Sequence, residues 1–129
     1  MTCTRVLIVD DEPLTRASLA DFLQEMGYTT VMVEGGEAAV QVHQEQPFDV
    51  CIVDIRMPGL SGVDTLLALH HIAPQSRYII YTGSPQFMLS PALESIGLTE
   101  SDVIRKPLLD MNIFVERIEN LPDVKTSQT

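Results

Sequence analysis

The sequence predicts an α/β domain, an open, doubly wound, five-stranded parallel sheet with helices on both faces. Two observations carry this. Short β-branched apolar runs alternate with amphipathic stretches through five β/α units, the pattern of helices packed on a parallel sheet. The runs are also nearly unbroken in apolar character, which suits strands covered on both faces. Right-handed crossovers leave a doubly wound sheet or a closed barrel, and five units are too few for an eight-stranded barrel.

Each element has its own signal. Arg5 to Val9 is the first strand. Pro13 to Met26 is a helix in which Leu19, Phe22, Leu23 and Met26 recur at three- and four-residue spacing; Pro13 suits its first turn and Gly27 stops it. Thr29 to Val33 is the second strand. Gly36 to Gln44 is a helix with Ala38, Ala39 and Val42 as its apolar side. Phe48 to Val53 is the third strand, and Val63 to Ile72 a helix with Leu66, Leu67 and Leu69 inside. Arg77 to Tyr81 is the fourth strand. Pro85 and Pro91 then punctuate "SPQFMLSPALESIG" and leave room only for a short helix, Pro91 to Ile96. Asp102 to Arg105 is the fifth strand and Asp110 to Leu121 the last helix. Residues 1–121 thus read as one domain, and the polar stretch 122–129, "PDVKTSQT", as a disordered tail or the start of a linker.

The bulk numbers bound the function. The chain has 129 residues, 45% of them hydrophobic and 20% charged, enough for one core without a disulfide or metal staple. No run approaches the ~18 apolar residues of a membrane span, and the start "MTCTRVLIVD" has no signal-peptide pattern, so a cytoplasmic protein with no membrane partner is expected. Of the two cysteines, Cys51 falls in an apolar run and reads as a small buried thiol. With 18 acidic against 8 basic residues the net charge is −10, which repels phosphate backbones and argues against nucleic-acid binding by this chain. His43, His70 and His71 lie in helical segments and read as surface residues, and the methionines as scattered gap-fillers.

The chemistry gathers at the carboxyl ends of the strands. The first ends in Asp10-Asp11-Glu12, the third in Asp54, the fourth in Thr82-Gly83 and the fifth in Lys106-Pro107. Ligands of doubly wound sheets bind at these ends, where the strand order reverses. If the order is 2-1-3-4-5, Asp10, Asp11 and Asp54 converge in one crevice. Three such carboxylates repel one another unless a cation lies among them, and hard oxygen ligands in that number suit Mg²⁺. Lys106 and Thr82 would add a point charge and a hydroxyl donor from the other side. A nucleophilic carboxylate, a metal cradle and donors for transferred oxygens are the parts of phosphoryl transfer to aspartate. Glu12 fits better as a solvated strand end.

In this order and spacing, "LIVDDEP", "VDIRMPGLSG", "YTG" and "RKP" resemble the response-regulator receiver domain of two-component signalling, from about Val6 to Leu121. The resemblance implies a flavodoxin-like 2-1-3-4-5 sheet. It makes Asp54 the phosphoacceptor, Asp10, Asp11 and Asp54 the Mg²⁺ ligands with the Arg56 backbone carbonyl, and Lys106 and Thr82 the phosphoryl contacts. It also implies a cis Lys106-Pro107 bond. The partners implied are a histidine kinase or phosphotransfer protein and a downstream output domain or protein; turnover of a separate substrate is not expected. The sequence departs from the family at Val103, three residues before the lysine, where an aromatic ring is usual. Two other readings share this fold or chemistry. A haloacid-dehalogenase-type phosphatase would want an acid where Arg56 stands. A flavodoxin-like binder would want small hydroxyl and glycine residues in place of "DDEP", which leaves a docking-only pseudo-receiver as the other reading.

Overall fold

The computed structural model describes residues 4–56, 61–106 and 110–119. The chain runs β1 (Arg5–Val9), α1 (Pro13–Glu25), β2 (Thr29–Val33), α2 (Gly36–Glu45), β3 (Val50–Val53), α3 (Gly62–Ile72), β4 (Arg77–Thr82), α4 (Pro91–Ser95), a 3₁₀ turn (Glu100–Asp102), β5 (Val103–Arg105) and α5 (Asn112–Glu119). The sheet order is β2-β1-β3-β4-β5, and all four strand pairs are parallel. This is the predicted architecture. The expected tail at 122–129 and the Lys106-Pro107 bond lie outside the described residues.

Alternation along the strands divides the core in two. Val6 and Ile8 of β1, Val50 and Ile52 of β3, and Ile79 and Tyr81 of β4 pack with Leu19, Ala20 and Leu23 of α1 and Phe114 and Ile118 of α5. Leu7 and Val9, Cys51 and Val53, and Tyr78 and Ile80 face the other way, against Ala39 of α2, Leu66 and Leu69 of α3 and Leu93 of α4. Neighbouring residues of one strand thus serve opposite faces, as the period of two demands.

Differences from the sequence reading have local causes. Asp102 caps the 3₁₀ turn, its carboxylate accepting the Thr99 N–H at 2.9 Å, so β5 starts one residue later than expected. In α1 the third buried residue is Ala20; Met26 follows the helix and is 46% exposed. In α2 the buried side is Gly36, Ala39 and His43, with Ala38 exposed. His43 is therefore a core residue, contrary to the expected surface position, and Met26, Met32 and Met88 are surface residues, contrary to the gap-filler reading.

His43 is tolerated inside because its ring is satisfied. Nδ1 accepts the Phe48 N–H at 3.1 Å, which leaves Nε2 as the protonated nitrogen, and Nε2 lies 3.2 Å from the Tyr78 hydroxyl. That hydroxyl lies 2.9 Å from the Leu69 carbonyl and 2.7 Å from that of Ala73. One imidazole and one phenol thus tie α2, the loop before β3, β4 and the end of α3 together. Burial pushes the His43 pKa down from its ordinary value, with Arg5 adding to the effect.

Candidate functional site

The parallel ladders run past the strand ends, and this positions the acids. The Asp10 N–H donates to the Val33 carbonyl at 3.2 Å, and the Asp54 N–H to the Val9 carbonyl at 2.9 Å. Both aspartates are thereby held one step beyond their strands and remain buried, 3% and 5% exposed. Their Oδ1 atoms fold back on the chain: Asp10 Oδ1 accepts the Glu12 N–H at 2.9 Å, and Asp54 Oδ1 accepts the Arg56 N–H at 3.1 Å. The Arg16 guanidinium donates to the Asp10 carbonyl at 2.7 Å and braces the turn into α1.

Gly62 explains the sharp turn after Asp54. A Cβ there would lie 2.4 Å from Ile55 Cα and 2.5 Å from the Asp54 carbonyl oxygen. Only a residue without a side chain lets the start of α3 rest on the backbone that carries Asp54. Ser61 caps that helix, its Oγ accepting the Asp64 N–H at 3.1 Å.

Lys106 reaches in from the end of β5. Its Nζ lies 3.0 Å from Asp10 Oδ2, 3.2 Å from Glu12 Oε1 and 3.6 Å from Asp54 Oδ2. The ammonium also lies 5.1 Å from the centre of the Tyr81 ring, which meets Phe114 edge to face at 4.9 Å. Asp10, Asp11 and Asp54 each offer an oxygen, and these lie within 4.8 Å of one another.

These charges act on one another. Burial raises the Asp54 pKa; the Arg56 N–H and Lys106 oppose this, and Asp10 and Asp11 add to it. Burial also works against the Lys106 charge, but Asp10, Asp54 and Glu12 outweigh it and hold its pKa above the ordinary value. The hydrogen bond from Lys106 draws the Glu12 pKa down. An excess of carboxylate around one ammonium, with three carboxylate oxygens facing one another, is the donor set of a hard divalent cation.

Of the residues singled out in the sequence, Asp10, Asp11, Asp54 and Lys106 come together. Thr82 is fully buried at the end of β4, with the Lys106 N–H on its carbonyl at 2.8 Å and the Ser84 N–H on its Oγ1 at 3.0 Å. Arg56 follows Asp54 and contributes its N–H. Sequence reasoning missed the part Glu12 takes in holding Lys106, and the Tyr81 ring beside the ammonium. A period-two reading of "RYIIYT" places Tyr81 inside, but nothing in it indicates the lysine.

The comparisons agree with this geometry. The family model described as the response regulator receiver domain matches residues 6–119. A protein-glutamate methylesterase/protein-glutamine glutaminase 2 of Caulobacter vibrioides is 32% identical over 105 residues, 80% of this chain and 30% of that protein. The sensor protein GacS of Pseudomonas syringae is 30% identical over 109 residues, 70% of this chain but 12% of its own length. The chain thus spans only a minor part of these relatives. Among solved structures, the response regulator TrrA of Thermotoga maritima, in complex with Mg²⁺ and a beryllium fluoride, superposes with a TM-score of 0.79 at 27% identity, covering 90% of this chain and 96% of that one. With its 2-1-3-4-5 sheet and an acid cluster facing a lysine at the strand ends, the chain belongs to the response regulator receiver domain family.

Proposed function

We propose that this chain is a signalling phosphoacceptor in which Asp54 takes a phosphoryl group from a histidine kinase, a phosphotransfer protein or a small phosphodonor, and passes the change to an output domain or protein. The observation that carries this is the Lys106 ammonium set between Asp10 and Asp54, 3.0 and 3.6 Å away, two members of a three-carboxylate cradle completed by Asp11. A carboxylate oxygen of Asp54 attacks phosphorus. With a phosphohistidine donor the bond from phosphorus to nitrogen breaks, the acyl phosphate forms, and the leaving imidazole takes a proton from solvent; with acetyl phosphate a P–O bond breaks and acetate leaves.

Asp10, Asp11 and Asp54, with the Arg56 backbone carbonyl, would hold Mg²⁺; their mutually facing oxygens fit the group. When bound, it supplies positive charge that shields the acids from one another and from the incoming phosphoryl oxygens. The remaining work falls to the chain. The β3 end fixes the nucleophile, Lys106 pairs with a phosphoryl oxygen, and the Thr82 hydroxyl donates to another. We place the protein in the cytoplasm; no helix among the described residues is long and apolar enough to cross a membrane. A phosphatase of the dehalogenase type lacks support, because Arg56 stands where its second acid is needed.

The test is intact mass after incubation with acetyl phosphate and Mg²⁺. The wild type gains one phosphoryl group and Asp54→Asn gains none. Equal gain in both proteins, or no gain in the wild type, overturns the reading.

A further inference from the structure

Beyond Thr82 the chain runs to Ser90 without helix or strand, over "GSPQFMLS". A backbone bond, Phe87 N–H to the Ser84 carbonyl at 3.3 Å, closes a turn within it. Arg105, the last residue of β5, reaches back across this segment. One guanidinium nitrogen donates to the Ser84 carbonyl at 3.2 Å and the other to the Phe87 carbonyl at 3.0 Å. Glu100 approaches the same group at 3.9 Å. A planar guanidinium on two carbonyls fixes both the position and the orientation of the turn, which a single ammonium does not.

The held residue is the one that contacts Thr82. Ser84 gives its carbonyl to Arg105 and its N–H to Thr82 Oγ1, 3.0 Å away. A hydroxyl that already accepts one hydrogen bond keeps its proton to donate elsewhere. The end of β5 therefore contributes twice at successive positions. Lys106 fixes the Thr82 backbone through its own N–H, at 2.8 Å. Arg105 fixes the Thr82 hydroxyl through Ser84.

We propose that Arg105 is a positioning residue which, through Ser84, presents the Thr82 hydroxyl as a donor to the phosphoryl group on Asp54. This rests on the phosphoacceptor reading above. Arg105 touches neither the acids nor the transferred group; it determines how well a donor is aimed before that group arrives. The three-carboxylate cradle lies on the β1 and β3 ends and is independent of it, so the two functions separate experimentally.

The test is calorimetric titration of the full chain with beryllofluoride in saturating Mg²⁺, and with Mg²⁺ alone. Arg105→Ala should raise the beryllofluoride Kd about tenfold, the loss of roughly one charge-assisted hydrogen bond, while the Mg²⁺ Kd stays within about twofold of wild type. Arg105→Lys should recover part of the loss. In a Thr82→Ala background, Arg105→Ala should add less than about twofold, because the group it aims is gone. Hydrogen exchange at 84–88 should quicken in Arg105→Ala. An unchanged beryllofluoride Kd in Arg105→Ala overturns the proposal, as does an effect of full size in the Thr82→Ala background. If the wild type binds no beryllofluoride at all, the phosphoacceptor reading falls first and this proposal with it.

Discussion

Lys106 Nζ lies closer to Asp10 Oδ2, at 3.0 Å, than to Asp54 Oδ2, at 3.6 Å. The ammonium is thus bonded most tightly to an acid of the proposed metal cradle, with the nucleophile second. A fixed positive charge there competes with a divalent cation for the same oxygens. Lys106→Met should therefore bind Mg²⁺ about three- to tenfold more tightly than wild type while losing most of its response to beryllofluoride. Titration of both proteins by calorimetry checks the pair of effects. Equal or weaker Mg²⁺ binding in the variant contradicts the electrostatic account.

Gly62 permits the contact between α3 and the Asp54 backbone. A methyl group at 2.4 Å from Ile55 Cα cannot be absorbed by a rotamer change, because its neighbours are main chain. Gly62→Ala should destabilise the fold by about 3 kcal/mol, at the upper end of overpacking effects. It should also slow phosphorylation of the surviving folded protein by shifting the nucleophile. Urea unfolding and a phosphorylation time course measure the two effects; a stability within about 0.5 kcal/mol of wild type would contradict the close approach.

The Tyr78 hydroxyl serves His43 and the Leu69 and Ala73 carbonyls from a buried position. Tyr78→Phe keeps the ring and removes the hydrogen-bonding atom. The cost should be about 2 kcal/mol, because the groups left behind stay buried without it. Chemical denaturation checks this, and a neutral substitution would mean that water replaces the hydroxyl.

His43 links stability to pH. Burial holds its folded-state pKa below the ordinary value of 6.5, so the unfolded chain takes up the proton first as pH falls. The stability contributed by the neutral ring is complete above pH 6.5 and is lost progressively below it. The urea midpoint should be flat between about pH 8 and 7 and should fall toward pH 5. His43→Gln keeps an acceptor for the Phe48 N–H but cannot titrate. Its midpoint should fall less over the same range, and parallel curves for the two proteins would exclude His43 as the source.

The strands were legible because each is an apolar run bounded by breakers, and the site acids because strand ends in a parallel sheet share one rim. What the sequence could not supply is what depends on angle and reach. The apolar pattern of α2 places Ala38, Ala39 and Val42 inside; Ala39 is buried and Val42 packs against the core, but Ala38 is exposed and the buried stripe takes in His43 instead. Hydropathy alone places a histidine outside; the stabilising Phe48 N–H comes from the loop before β3 and the Tyr78 hydroxyl from β4. Glu12 fits a solvated strand end, and its carboxylate is open to water, yet Lys106 crosses from the end of β5 to meet it. Nothing in the sequence marks Arg105, because its partners are backbone carbonyls of a segment that has no pattern of its own.

The shared rim has a further consequence. Asp10, Asp54, Thr82 and Lys106 stand at the ends of strands β1, β3, β4 and β5, so no fragment of the chain holds a complete site. An unfolded or half-assembled chain offers only isolated carboxylates, which have no more claim on a phosphoryl group than any other acid. Asp54 phosphorylation should therefore serve as a reporter of folding itself. It should appear during refolding only when the last strand docks, and it should return when separately made segments, such as 1–75 and 76–129, reassociate.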